Sequence, residues 1–231
     1  KDRTSEIFGN PMSKKVIRKA QKSKQKNQKK YGDDSKVNYQ CIIRDNPCIG
    51  EPLGVKNVVV TRKEGKGSFD EEKGVIVGNI RMGFGHYRIS MAIASAAHAL
   101  GYTPYWMDLN SYPETTCTKL ISAQNELYSL GSRISQKSKL FNKFVWEPVN
   151  YEGFRQLSYN AADQKNAELM APVYHSVPKD IPVIATHVWP AQAAVHAGMK
   201  HVVNAIPDNW PMALHYAQGS LHTVQTHYAY Q

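Results

Sequence analysis

The sequence predicts an α/β fold, a Rossmann-like parallel sheet flanked by helices. Two features predict it. Short apolar runs alternate with helix-like segments along most of the chain, and residues 74–80 are apolar almost throughout, as in a strand buried on both faces. Such alternation is typical of βα units on a parallel sheet. The 231 residues, 42% of them hydrophobic, are enough for a sizeable core.

The elements follow in chain order. Residues 37–44 and 55–62 have the β-branched character of strands and are separated by turn-forming Asp, Asn, Pro and Gly. After the strand at 74–80, apolar residues at helical spacing predict a helix over 87–100, which Gly101 is placed to end. Further strands are predicted at residues 103–107, 181–185, 201–206 and 221–226. Further helices are predicted within residues 116–144, 154–174 and 191–197.

The positive charge lies at one end of the chain. The formal net charge is +10, and residues 1–30 contain eleven Lys or Arg against two acids, so that segment accounts for +9. A block so poor in apolar residues is expected to be disordered, or helical only on a partner. We therefore expect a flexible basic tail over residues 1–36, a short β-rich segment over 37–73, and the Rossmann-like domain over 74–231.

The basic tail predicts an anionic partner. Residues 13–30 hold nine basic side chains and no acid, which suits an anionic membrane surface. Nucleic-acid phosphates are the less favoured partner. A solvated segment that contributes only solubility remains open.

Several classes of protein are excluded or disfavoured. No apolar run approaches the roughly 18–20 residues of a transmembrane helix. Three scattered cysteines predict neither a disulfide framework nor a zinc site, so we expect a reducing, cytoplasmic setting and no metal. The phosphate-binding loop pattern, the nucleophile elbow and paired-histidine metal motifs are absent.

A nicotinamide-binding fingerprint is incomplete. Gly83 and Gly85 begin a G-x-G-x-x-G pattern, and Asp108 follows at about the expected distance. Arg88 occupies the third glycine position, where its side chain would obstruct close packing of helix on strand. The dehydrogenase interpretation is therefore disfavoured.

Ligands of parallel sheets bind at the carboxyl ends of the strands, so the residues that follow each strand are the candidates. A histidine at a helix N-terminus has its charged form disfavoured, so His86 is expected to be neutral and able to accept a proton. The glycine turn is alternatively a simple connection, His187 a hydrogen-bonded loop residue and Asp208 a helix N-cap. The candidates are Gly83, Phe84, Gly85, His86, Asp108, His187, Asp208 and Trp210.

These motifs together resemble a known family. A strand, Gly83-Phe84-Gly85-His86, an alanine-rich helix and a second strand ending at Asp108 resemble the N-terminal domain of GT-B glycosyltransferases. The pattern is most similar to monogalactosyldiacylglycerol synthases, processive diacylglycerol glucosyltransferases and the peptidoglycan N-acetylglucosaminyltransferase. Residues 203–208 resemble that family's Asp-containing loop, and residues 221–226 resemble a later strand. The resemblance covers residues 74–231.

The resemblance implies inverting transfer of a hexose from a nucleotide sugar to an acceptor, often lipid-linked. It implies that His86 is the base or orients the acceptor, and that Asp208 positions or activates the acceptor hydroxyl. Gly83, Phe84, Gly85, Asp108, His187 and Trp210 are the expected substrate-binding residues. The family's donor-binding C-terminal domain is expected to lie outside these 231 residues, so the chain alone is expected to bind the acceptor without turnover. No cofactor is expected in the chain, and the membrane-facing acceptors favour a cytoplasmic protein peripheral to a membrane.

Two alternatives to an enzyme remain open. One is a non-catalytic module that recognises a sugar or an anion through the glycine loop. The other is a nucleic-acid-associated protein that acts through its basic tail.

Overall fold

A seven-stranded sheet organises the chain in the computed structural model, which describes residues 2–63, 65 and 67–230. A separate two-stranded ribbon precedes it. The strands are β1 (Glu6–Ile7), β2 (Asn10–Pro11), β3 (Gln40–Asp45), β4 (Lys56–Thr61), β5 (Gly74–Asn79), β6 (Thr103–Asp108), β7 (Val183–Ala185), β8 (Val202–Ala205) and β9 (Leu221–Thr223).

Helices connect most of these strands. Short 3-10 turns lie at Ala171–Tyr174 and Ala213–His215, and π-helical turns lie at Asn142–Trp146 and Val149–Gly153. The α-helices are α1 (Lys14–Tyr31), α2 (Gly50–Leu53), α3 (Phe84–Ala99), α4 (Thr116–Lys137), α5 (Lys139–Phe141), α6 (Leu157–Ala167), α7 (Val188–His196) and α8 (His227–Tyr230).

The large sheet is mostly parallel, as the sequence predicts. Its strand order is β3-β4-β6-β5-β7-β8-β9, and only β3 runs antiparallel to its neighbour. All six residues of β5 are buried, because helices cover both faces. Ile76 packs in the larger core with residues of α4 and α7, whereas Val77 packs in a smaller core against α3. Side chains that alternate along β5 therefore contribute to the hydrophobic cores on both faces of the sheet.

The β-rich segment is part of this sheet. The strands predicted at 37–44 and 55–62 form as β3 and β4, which pair antiparallel with each other. β4 in turn pairs in parallel with the middle of β6, where Lys56 and Asn57 lie opposite Tyr105 and Trp106. These strands therefore extend the Rossmann-like sheet at one edge.

The structure does not confirm a disordered basic tail, because the segment forms α1 and packs on α6. Ser13 caps the helix by accepting a hydrogen bond from the Val16 amide, and Ala20 is buried. Lys24 forms an ion pair with Glu168, and the Asn27 amide donates to Asn166. The expectation of disorder rests on low apolar content, whereas this helix docks through one small residue and specific polar pairs.

The basic side chains of α1 occupy its outer surface. Eight are exposed: Lys14, Lys15, Arg18, Lys19, Lys22, Lys26, Lys29 and Lys30. Among the described residues, no helix is both long enough and apolar enough to cross a membrane.

A helical hairpin over residues 127–153 extends the second half of α4. Its two arms pack through Trp146, whose ring lies 5.3 Å from that of Tyr128 and closely approaches the backbone of Gly131. A Cβ atom at Gly131 would lie 2.4 Å from the Trp146 ring, which is too close for any real contact. The hairpin thus depends on the absence of a side chain at this position.

We expect Gly131→Ala to loosen the hairpin, because Trp146 must move to admit the methyl group, at a cost of about 1–3 kcal/mol. Amide hydrogen exchange over residues 127–153 is expected to accelerate. Gly153→Ala is the matched control, since nothing lies within 4 Å of a Cβ at that position. Equal protection in both variants would contradict the assigned packing.

Candidate functional site

The candidate site lies at the carboxyl ends of β5, β7 and β8. From β5 the chain passes through α3 to β6 on one side, and β7 pairs with β5 on the other. This reversal of strand order makes a topological switch point, where open α/β sheets form ligand-binding crevices. His86, from the first turn of α3, meets the segment that follows β7 in this crevice.

The orientation of His86 is set by a backbone carbonyl. Its Nδ1 lies 2.6 Å from the carbonyl oxygen of Thr186. A carbonyl oxygen only accepts hydrogen bonds, so Nδ1 carries the proton and Nε2 keeps a lone pair. The ring is thereby held in the tautomer whose other nitrogen can accept a proton.

Thr186 is itself held rigidly. It is fully buried, its amide donates to the carbonyl of Gly78 at 3.0 Å, and its hydroxyl lies 2.9 Å from the Ser90 hydroxyl. Ser90 in turn donates to the carbonyl of His86 at 2.8 Å. This connected network fixes the end of β7 and the first turns of α3 relative to each other.

His187 is a neutral neighbour of His86. The two rings are 5.0 Å apart and nearly perpendicular. His187 Nδ1 accepts a hydrogen bond from the Trp189 amide at 3.2 Å and so caps α7. Burial lowers the pKa of His187 well below its usual value, and the imidazoles of His86 and His215 add to the shift. The structural interpretation of His187 is thus supported, although its ring lies beside the site.

Asp208 lies beside a histidine. His215 Nδ1 accepts a hydrogen bond from the Met212 amide at 2.8 Å, which leaves the proton on Nε2, and that atom lies 3.4 Å from the Asp208 carboxylate. Burial lowers the pKa of His215, and Asp208 opposes the shift. Asp208 is not a helix N-cap: the 3-10 turn that follows is capped by Met212.

An aromatic pair borders this region. The exposed rings of Trp210 and Tyr228 stack with centroids 5.7 Å apart. Together with Arg155 they line a cavity of about 370 Å³. Flat exposed rings beside a cationic group form a surface suited to a polar ring-shaped ligand.

The glycine loop faces open space. Gly83 has φ +74° and begins α3, whereas Gly85 lies within the helix without a positive φ. The conformational need for glycine is thus at position 83. No atom lies within 4 Å of a Cβ at either position, and Phe84 between them is 81% exposed.

Asp108 is already engaged by protein groups. Its carboxylate pairs with the Arg81 guanidinium at 2.9 Å and accepts from the Asn110 amide and the Ser111 hydroxyl. It borders a separate cavity of about 560 Å³ beside α3, with Tyr87, Trp106 and the loop before α2. Asp108 therefore shapes this cavity and does not join the histidine cluster, which consists of His86, His187 and His215.

No motif in the sequence marks three further residues near the site. They are His215, Arg155 and Tyr228. His215 follows Asp208 by seven residues on an irregular segment, so no periodic signal marks the contact. Among residues 2–63, 65 and 67–230, no three His, Cys, Asp or Glu side chains are grouped to hold a metal ion.

The chain matches a family model described as "Domain of unknown function (DUF6937)" over residues 6–231. No curated protein and no solved structure matches it.

Proposed function

The chain belongs to the DUF6937 family, and we propose that it is the acceptor-binding half of an inverting GT-B glycosyltransferase. The reaction is transfer of a hexose from a nucleotide sugar to an acceptor hydroxyl. One observation carries the proposal: His86 donates Nδ1–H to Thr186, so its Nε2 is available as a base at the switch point of the sheet. The donor-binding unit would be supplied elsewhere in the same protein or by a partner.

The proposed chemistry needs one base. Nε2 of His86 takes the proton of the acceptor hydroxyl, the hydroxyl oxygen forms a bond to the anomeric carbon, and the bond to the diphosphate breaks. The diphosphate leaves with the electron pair, so a single displacement inverts the anomeric configuration. General-base catalysis of this kind contributes about 10²–10⁴-fold.

Asp208 is proposed to orient the acceptor. Its carboxylate is 46% exposed, so one oxygen can accept a hydrogen bond from an acceptor hydroxyl while His215 holds the group in place. The stacked Trp210 and Tyr228 rings support binding of the sugar portion of a ligand. The cavity beside Asp108 supports binding of a further part of the acceptor.

A non-catalytic sugar- or anion-binding module is the second candidate. The observation that favours it is the combination of an open glycine loop, exposed Phe84 and a stacked aromatic pair, since these features serve binding without a reaction. The basic face of α1 likewise supports an anionic partner. An anionic membrane surface is the favoured partner, and a nucleic acid is the less favoured one.

The experiment is a transfer screen on the natural-length protein. UDP-glucose, UDP-galactose and UDP-N-acetylglucosamine are supplied with diacylglycerol or glycan acceptors, and products are detected by mass spectrometry. We expect a hexosylated product, which Asp208→Asn reduces by about a hundredfold because the carboxylate that orients the acceptor hydroxyl toward His86 is lost. Asp180→Asn is the control, since Asp180 is an exposed partner of Lys200. Sugar binding without transfer would favour the binding module.

We also expect Trp210→Ala to weaken binding of the sugar-containing ligand by about fivefold to tenfold, since stacking on an aromatic ring is worth about 1 kcal/mol. Titration calorimetry measures the effect. Tyr102→Ala, which removes another exposed ring, is the matched control. Equal affinities for the two variants would show that the aromatic pair does not contact the ligand.

A further inference from the structure

Exposed apolar side chains are concentrated on the helical hairpin. Of the sixteen most exposed large hydrophobic residues in the described chain, nine lie between residues 127 and 151. They are Leu127, Tyr128, Leu130, Ile134, Leu140, Phe144, Val145, Val149 and Tyr151. Monomeric proteins rarely leave such a concentration uncovered unless it contacts something.

The exposure follows a helical period. Leu127, Leu130 and Ile134 recur at i, i+3 and i+7 and so define one face of α4. In the first turns of the same helix, by contrast, five residues are buried: Thr116, Cys117, Thr118, Leu120 and Ile121. The N-terminal part of α4 therefore belongs to the core, whereas its C-terminal part presents an apolar face that nothing in the described structure covers.

The hairpin is firmly built despite its exposure. Trp146 packs against Gly131 and Tyr128 and joins the two arms. Ser138 caps α5 at the tip by accepting a hydrogen bond from the Phe141 amide. The apolar side chains are thus presented on a supported structure.

The charge of the hairpin is of one sign over most of its length. Residues 127–146 contain four basic side chains and no acid, and the two acids of the hairpin, Glu147 and Glu152, lie in its last seven residues. Arg133, Lys137, Lys139 and Lys143 are all exposed. Leu140 lies between two of these cations in sequence, so apolar and cationic groups alternate at the tip.

We propose that the helical hairpin docks into the headgroup region of an anionic lipid bilayer. Apolar side chains enter the boundary between headgroups and acyl chains, and the surrounding cations contact anionic headgroups. A second copy of the chain is disfavoured as the occupant, because two such surfaces would oppose like charges. The proposal is independent of glycosyl transfer and places the principal membrane contact on the hairpin, not on α1.

The experiment is vesicle sedimentation of the full chain. Vesicles of phosphatidylcholine alone are compared with vesicles that also contain phosphatidylglycerol, at low and high salt. We expect binding to the anionic vesicles that weakens at high salt. Two variants remove the two contributions separately: Leu140→Ser with Phe144→Ser, and Lys137→Gln with Lys139→Gln and Lys143→Gln.

Each variant is expected to reduce partitioning at least about tenfold, since each basic residue near an anionic surface contributes about 1 kcal/mol and each buried apolar side chain about 1.5–3 kcal/mol. The apolar control replaces Leu100 and Leu221 by Ser, both exposed elsewhere. The charge control replaces Lys36, Lys56 and Lys73 by Gln, three exposed lysines outside both α1 and the hairpin. A separate α1 variant replaces Lys15, Lys22 and Lys29 by Gln, so that the contribution of α1 is compared with that of the hairpin. Both controls are expected to stay within about threefold of the parent chain, because neither alters the hairpin.

Three results would overturn the proposal. The parent chain fails to bind anionic vesicles, or the α1 variant loses binding while the hairpin charge variant keeps it. The third is a dimer in size-exclusion chromatography that the Leu140 and Phe144 substitutions dissociate, because the surface would then be an interface between copies.

Discussion

Replacing His86 with alanine is expected to reduce hexosyl transfer by about 10²–10⁴-fold, the usual contribution of a general base. The imidazole of His86 is positioned by Thr186, and its hydrogen bond uses Nδ1, so Nε2 can accept a proton. In the other two rings of the histidine cluster, Nδ1 accepts from a backbone amide instead: that of Trp189 for His187 and that of Met212 for His215. Initial rates at saturating acceptor measure the effect.

The control is His98→Ala, on the exposed far end of the same helix. It is expected to leave the rate unchanged, and both variants are expected to unfold near the parent temperature. His86 makes one side-chain bond to a carbonyl, so its loss costs about 1 kcal/mol or less. Activity of His86→Ala within tenfold of the parent would exclude His86 as the base.

Asp163→Asn is expected to change the pH dependence of stability. Asp163 lies on α6, buried against α7, where the Trp189 indole donates to it at 3.3 Å. Burial raises its pKa from 3.8 to about 7. The folded protein therefore keeps a proton that the unfolded chain releases, and this group makes stability fall as pH rises from about 4 to about 7.

Asparagine is neutral throughout, so the variant is expected to lose this fall. The free energy of unfolding of the variant minus that of the parent is expected to be about 2–3 kcal/mol larger at about pH 8 than at about pH 5, which means a relatively more stable variant. Urea denaturation at the two pH values measures it. His196, whose pKa burial lowers to about 4, titrates in both proteins and so cancels in the difference. Parallel pH curves would contradict a protonated Asp163 at neutral pH.

Much of the sheet could be predicted because its strands are short, apolar and separated by clear turns. The run at residues 74–80 becomes β5 at Gly74–Asn79, and the segments after it become α3 and β6 close to their predicted bounds. The position of His86 also follows from the sequence, because a residue after a central parallel strand must lie at the carboxyl edge.

The remainder depends on tertiary contacts that composition does not encode. α1 is ordered through Lys24 and Asn27 meeting partners on α6, more than a hundred residues away. Asp108 stands at the end of a strand, as the sequence suggests, yet Arg81 and the turn at Ser111 occupy its carboxylate. The contact of His215 with Asp208 arises on an irregular segment, where no period predicts which side chains meet.

The most direct test of the account is the anomeric configuration of the transferred hexose. The natural-length protein is supplied with an α-linked UDP-hexose and an acceptor, and proton NMR follows the coupling constant of the new glycosidic bond. A single displacement assisted by His86 Nε2 predicts a β-linked product, which is absent with His86→Ala. An α-linked product, or a β-linked product that persists undiminished in that variant, would contradict the assignment of His86 as the base.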